Sequence, residues 1–240
     1  MKKFELTTKS ITNEVGKKLF RIKALIDFGD VKAGELGGYV EKEGNVSQDD
    51  NAWVSGDAEV FGNAKVFGNA KVSDNAKVSG RAWVFGNARV SGDALISGNA
   101  KVSDNARVYD NAWVSGDALV FGRALVFGDA KVSGRAWVFG NARVSGDALI
   151  SGNAWVSGDA RVYDNADYAL VQGFGIKFRC TTFYRGKNEK IMVNCGCFHG
   201  DLEEFRKQVK ETRSGKIAKE YLMIADLMEY HFVSEDSGDE

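Results

Sequence analysis

An aliphatic residue recurs at every sixth position from Val54 to Val162, passing through Val60, Val66, Ile96 and Ile150. Two residues ahead of each one sits an alanine, from Ala52 to Ala160. The unit reads Ala-x-Val-x-turn-turn, and the turn pair is Gly or Asp followed by Asn, Asp or Arg. Residues two apart on a strand point to the same side, so Ala and Val face inward and the x residues face out. The turn pair supplies the left-handed backbone of a tight corner. A strand this short cannot stand alone, and the pattern predicts coils stacked about 4.8 Å apart.

The unit resembles the hexapeptide-repeat signature. The resemblance implies a left-handed parallel β-helix of triangular section with about three hexads per coil. Nineteen hexads run unbroken from Val54 to Val162, which makes roughly six coils. A longer period agrees: residues 76–90 recur from Ala130, a shift of 54 residues or three coils of 18.

An 18-residue coil sorts the outward positions onto three faces. One carries Lys71, Arg89, Arg107, Arg143 and Arg161, interrupted by Leu125. Beside it runs an acidic corner of Asp57, Asp74, Asp93, Asp110, Asp129, Asp147 and Asp164. Charge balance between the columns is the plainer expectation. The sharper one has Arg89, Arg107, Arg143 and Arg161 gripping a phosphate or an acidic partner. A second face is mostly serine. The third collects Phe67, Trp83, Phe85, Leu119, Phe121, Trp137, Phe139 and Trp155, more aromatic surface than a soluble monomer usually shows to water. Self-association as a trimer is the favoured expectation for it. Cover by the chain's own ends and a partner surface are the alternatives.

The fold class expected is mainly β, with caps at both ends of the helix. Residues 1–45 read as an N-terminal β cap and 46–167 as the helix, with Val40 and Val46 an irregular first hexad. Residues 168–232 read as a small α+β domain. Its hairpin joins Ile176, Phe178 and Cys180 to Ile191, Val193, Cys195 and Cys197 through a turn at Gly186. A helix then starts at Asp201 and another runs from about Ile217 to Phe232. The acidic residues 233–240 read as a disordered tail.

Composition narrows the classes. With 32 Lys+Arg against 33 Asp+Glu, no global basic charge points to nucleic acid. The first residues lead into no apolar segment of a signal peptide, and no apolar run approaches the ~20 residues that cross a bilayer. Three cysteines suit a reducing cytoplasm better than a disulfide scaffold.

Residues 27–40, the repeats from Asn51 onward and residues 193–205 resemble phage- and prophage-encoded hexapeptide-repeat proteins. That resemblance covers nearly the whole chain. It implies a phage or mobile-element origin, action in the host cytoplasm and use in counter-defence, by sequestering a host signal molecule or blocking a host protein.

Hexapeptide acyltransferases use a histidine on the β-helix as general base, since imidazole titrates near neutrality. The only histidines here are His199 and His231, beyond the repeat. Cys195, Cys197 and His199 alternate as if on one strand face, with Cys180 upstream. Zinc sites usually space cysteines as C-x₂₋₄-C, so packed thiols are expected and no metal or other cofactor is called for. The reading is a non-enzymatic binding scaffold, homo-oligomeric, with a host protein or a small anionic or nucleotide ligand as partner and no membrane. A passive virion or polymer-forming protein and a divergent acyltransferase stand as alternatives.

Overall fold

The computed structural model describes residues 2–175, 179–187 and 189–232. Ile176, Phe178, Asn188 and the acidic tail lie outside them. The chain opens with an antiparallel pair, β1 (Phe4–Thr12) and β2 (Lys18–Ala24), and β2 pairs with β3 (Leu36–Val40). Nineteen two-residue strands follow, from β4 (Trp53–Val54) to β22 (Arg161–Val162). Each pairs in parallel with the strand 18 residues away, as in Arg89↔Arg107 and Leu95↔Trp113. The result is a parallel β-solenoid of about seven turns with three flat sheets.

The inward alanines and aliphatics of the repeat are almost wholly buried and form one continuous core. Each corner turns on a left-handed residue. Most are glycines, such as Gly116 at φ 66, but Asp74, Asp104 and Asp110 adopt φ 62, 58 and 59 in equivalent places.

The nineteen hexads account for just over six turns, and the N-terminal segment builds the seventh. Val40 pairs with Val60, Val46 bridges to Val66, and Val54 pairs with Val72. The eight-residue step from Val46 to Val54 is absorbed at a corner, so the coil keeps its register. The first turn therefore begins in β3, ahead of residue 46.

Both ends of the solenoid are closed. At the start, the buried Lys3 ammonium donates to the carbonyls of Asp50 and Ala52 at 2.7 and 2.8 Å. At the finish, Trp155 N–H donates to Thr182 Oγ1 at 2.9 Å, and Asn194 Nδ2 donates to Trp155 O at 2.8 Å. Leu149 and Tyr163 N–H find the side chains of Asn165 and Asp167. Side chains thus complete ladders that have run out of backbone partners.

The C-terminal domain departs from the expected hairpin. It is a four-stranded antiparallel sheet of β23 (Tyr168–Phe174), β24 (Arg179–Arg185), β25 (Ile191–Cys195) and β26 (Phe198–Asp201). Two helices pack on it, α1 (Leu202–Thr212) and α2 (Gly215–Phe232), around Phe183, Val193, Phe205 and Met228. α1 starts at Asp201 as its sequence predicts. The Asp201 carboxylate accepts from Glu204 N–H at 3.0 Å while Glu204 Oε2 accepts from Asp201 N–H at 2.9 Å, a reciprocal cap.

Candidate functional site

The aromatic residues of the third face fall into two blocks on the six-stranded sheet. In the first, Phe67 and Phe85 stack at 4.9 Å, Trp83 stands edge-on to Phe67, and Lys101 Nζ lies 4.9 Å over the Trp83 ring. In the second, Phe121 and Phe139 stack at 5.0 Å and Trp137 and Trp155 at 4.9 Å. The 54-residue duplication maps Phe67, Trp83 and Phe85 onto Phe121, Trp137 and Phe139. Leu119 sits between the blocks, half-buried, beside Lys101. Stacking along the ladder satisfies part of each ring, yet Trp83 and Trp155 keep 38% and 36% of their surface exposed. The N-terminal strands extend a different sheet, and the C-terminal sheet meets this face only at its end. Among the described residues, 43–49 flank the first rungs, where they line a cavity with Phe67 and Trp83, and the C-terminal sheet meets only the last rung.

The basic column lies on the seven-stranded sheet, where Arg89 neighbours Arg107 and Arg143 neighbours Arg161. Lys71 forms an ion pair with Asp30. Among the described residues, none of the four arginines has a carboxylate within ion-pair distance. The expected charge balance with the acidic corner is therefore not made by contact. That corner is satisfied along its own length instead. Asn75 and Asn111 donate to Asp93 and Asp129 at 3.0 Å, and Asp74 and Asp110 accept Gly92 and Gly128 N–H. From Asp57 to Asp129 amide alternates with carboxylate, which keeps like charges from stacking one coil apart until Asp129 meets Asp147.

At its C-terminal end the column becomes a cleft of about 270 Å³, where Arg143 and Arg161 meet Arg123, Lys187, Asn141 and Asp159. Four cations face one carboxylate, and Asp159 already accepts from Asn141 Nδ2 at 3.0 Å. Arg89 and Arg107 lie further along the column and do not line this cleft. Arg123 and Lys187 were not singled out from sequence. Arg123 occupies a corner column otherwise rich in asparagine (Asn51, Asn69, Asn87, Asn105), and that irregularity was its signal. Lys187 comes from the turn after β24 and reaches the column only through the tertiary fold. On the same sheet Tyr109 stacks on Phe127 at 5.0 Å. Burial pushes the Tyr109 hydroxyl above the ordinary tyrosine value, while Arg143 and Arg107 act to lower it.

Cys195, Cys197 and His199 do not share a strand face. β25 ends at Cys195, the chain turns at Gly196 and Cys197, and His199 lies on β26 opposite Asn194. His199 Nδ1 is 2.6 Å from Asn194 Oδ1, and Asn194 Nδ2 donates to Ser157 Oγ at 3.1 Å. Ser157 Oγ lies 3.2 Å from the Tyr184 hydroxyl. This polar network seats the C-terminal sheet on the last coil. The Cys195 thiol accepts from Thr181 Oγ1 at 3.1 Å, and burial pushes the Cys180 thiol above its usual range. Among the described residues no three His, Cys, Asp or Glu side chains are grouped to hold a metal ion.

The family described as YdcK beta solenoid repeat matches at residues 100–116 and 142–158, both within the coils. No curated protein matches the chain. Together with the stacked turns, the family match makes this a β-solenoid protein. Among the described residues no helix is long and apolar enough to cross a membrane.

Proposed function

We propose that the chain is a rigid, non-enzymatic binding scaffold that takes a small phosphate-like anion in the cleft of Arg123, Arg143, Arg161 and Lys187. The observation that carries this is the convergence of four cations, three on coil positions and one from the C-terminal domain, around a single carboxylate that is already hydrogen-bonded. Guanidinium groups suit phosphate because they donate in a planar fork, and the coil backbone holds them without the entropy cost of a loop. Holding Arg143 and Arg161 one rung apart is unfavourable in itself, and a bound anion offsets that repulsion.

Pyrophosphate titrated into the full chain by calorimetry tests the reading. Binding that weakens about tenfold or more in the Arg143→Ala, Arg161→Ala double variant, and falls steeply with added salt, is the expected result. Equal affinity in the double variant, or no heat at millimolar pyrophosphate, would sink it.

The exposed tryptophans favour a further property, self-association through the aromatic face as a homotrimer. The enzymatic alternative draws no support from the solenoid, which carries no histidine to act as base. The resemblance to phage and prophage hexapeptide-repeat proteins supports a finer proposal: a left-handed helix of mobile-element origin, acting in the host cytoplasm to sequester a host signal molecule or block a host protein.

A further inference from the structure

A second cavity, of about 430 Å³, opens at the far end of the aromatic face, between the last coil and the C-terminal sheet. Trp155 belongs to the last strand of its sheet. One side of its indole lies on Trp137 at an interplanar angle of 8°. Among the described residues no ring stacks on its other side, and Trp155 is 36% exposed and lines the cavity. Trp137, Arg135, Asn153, Gln172 and Thr182 complete most of the wall.

We propose that this cleft binds a nucleotide, its base stacked on Trp155 as the missing rung and its phosphate held by Arg135. Three features carry the assignment. Trp155 is the last ring of its stack among the described residues, is exposed and lines the cavity, so a planar ring laid on it would continue the stack. The side-chain amides of Asn153 and Gln172 have no hydrogen-bond partner among the described residues, and each presents one donor and one acceptor group, as a base edge requires. Arg135 is exposed, and among the described residues it forms no ion pair and no carboxylate lines the cavity. A neutral sugar also packs on indole and bonds to amides, but it leaves the guanidinium of Arg135 without an anion, which a nucleotide phosphate supplies. The volume lies within the range of about 300–1,000 Å³ usual for small-molecule sites.

The site is separate from the arginine cleft, which lies on another sheet, so the two readings fail independently. AMP is titrated into the full chain, with adenosine and ribose 5-phosphate as partial ligands, reading calorimetric heat and tryptophan fluorescence. AMP is expected to bind and quench, adenosine to bind about tenfold more weakly, and ribose 5-phosphate to give no quench. Stacking on an aromatic side chain is strong enough that Trp155→Leu should weaken AMP by about tenfold or more. Arg135→Gln, a solvent-exposed corner change, should reduce AMP to the affinity of adenosine even if Trp155→Leu disturbs the cap. Trp113→Leu, on a different face, should change nothing. The proposal is overturned if AMP, GMP, CMP and UMP all fail to bind at millimolar concentration. It is equally overturned if ribose 5-phosphate binds as well as AMP, or if AMP binding survives Trp155→Leu and is lost in the Arg143→Ala, Arg161→Ala variant.

Discussion

Lys3 sets an ammonium group into the apolar end of the solenoid, 4.7 Å over the Phe28 ring and in reach of two carbonyls that no strand covers. Burial lowers its pKa from the ordinary 10.5 to about 8, against the opposing pull of Asp50 and Asp49. The unfolded chain therefore holds this proton more tightly than the folded one. Between about pH 8 and 10.5 unfolding takes up a proton, so stability from this site is complete above 10.5 and is lost as pH falls through 8. In Lys3→Met the stem remains but no group titrates, and Asp50 O and Ala52 O lose their donor. The stability gap between wild type and variant should widen as pH rises from 7.5 to 10, by up to about 1.4 kcal/mol per unit of pKa difference. Urea unfolding at stepped pH reads this directly. A constant gap would mean that Lys3 does not titrate in that window.

The corner is the element that lets two-residue strands stack into a prism. Gly116 sits at φ 66, and a Cβ built there would lie 2.8 Å from Gly134 O. Asp104 holds nearly the same backbone because its carboxylate accepts Gly122 N–H from the next coil at 3.0 Å. Gly116→Val should therefore cost about 2 kcal/mol or more, combining left-handed strain with a backbone clash. Gly116→Asp should cost distinctly less, because it can make the Asp104 bond. Thermal melts of the two variants compare them, and equal losses would remove the carboxylate from the account. This level of structure was legible in the sequence, because a six-residue period in Ala, Val and Gly fixes strand, corner and face together. The Asp201 cap was legible for the same local reason. The β25–β26 turn was misread because Cys195, Cys197 and His199 alternate like a strand. Gly196, which adopts φ 64, was the available sign of a turn. Half of the arginine cleft was legible as a column. Lys187 was not, because its position follows from how a non-repeating domain docks on the last coil.

At the scale of the whole molecule, capped ends and an aromatic face decide how copies can meet. A bare solenoid would polymerise end to end, since each terminal coil offers unpaired backbone groups to the next molecule. Here Lys3 fills one end and Thr182 with Asn194 fills the other. That turns association away from filaments and towards the sides. Of the three sides, only one carries two blocks of stacked Phe and Trp. Six strands at about 4.8 Å give this face a length near 29 Å, and a width of four residues gives about 13 Å, roughly 400 Å² in projection. A standard interface takes about 800 Å² from each partner. Contact through this face alone should thus be weak, and the proposed trimer would need a flanking corner of each copy to add to it. Light scattering over a concentration series should show a mass rising from one chain toward three. Phe85, Phe121 and Phe139 changed together to Ser should hold the protein at one chain with its fold intact, because Ser103 and Ser157 already occupy rungs of the same column. A wild-type mass that stays at one chain throughout would refute lateral assembly. Growth without limit would instead mean that the caps do not block the ends.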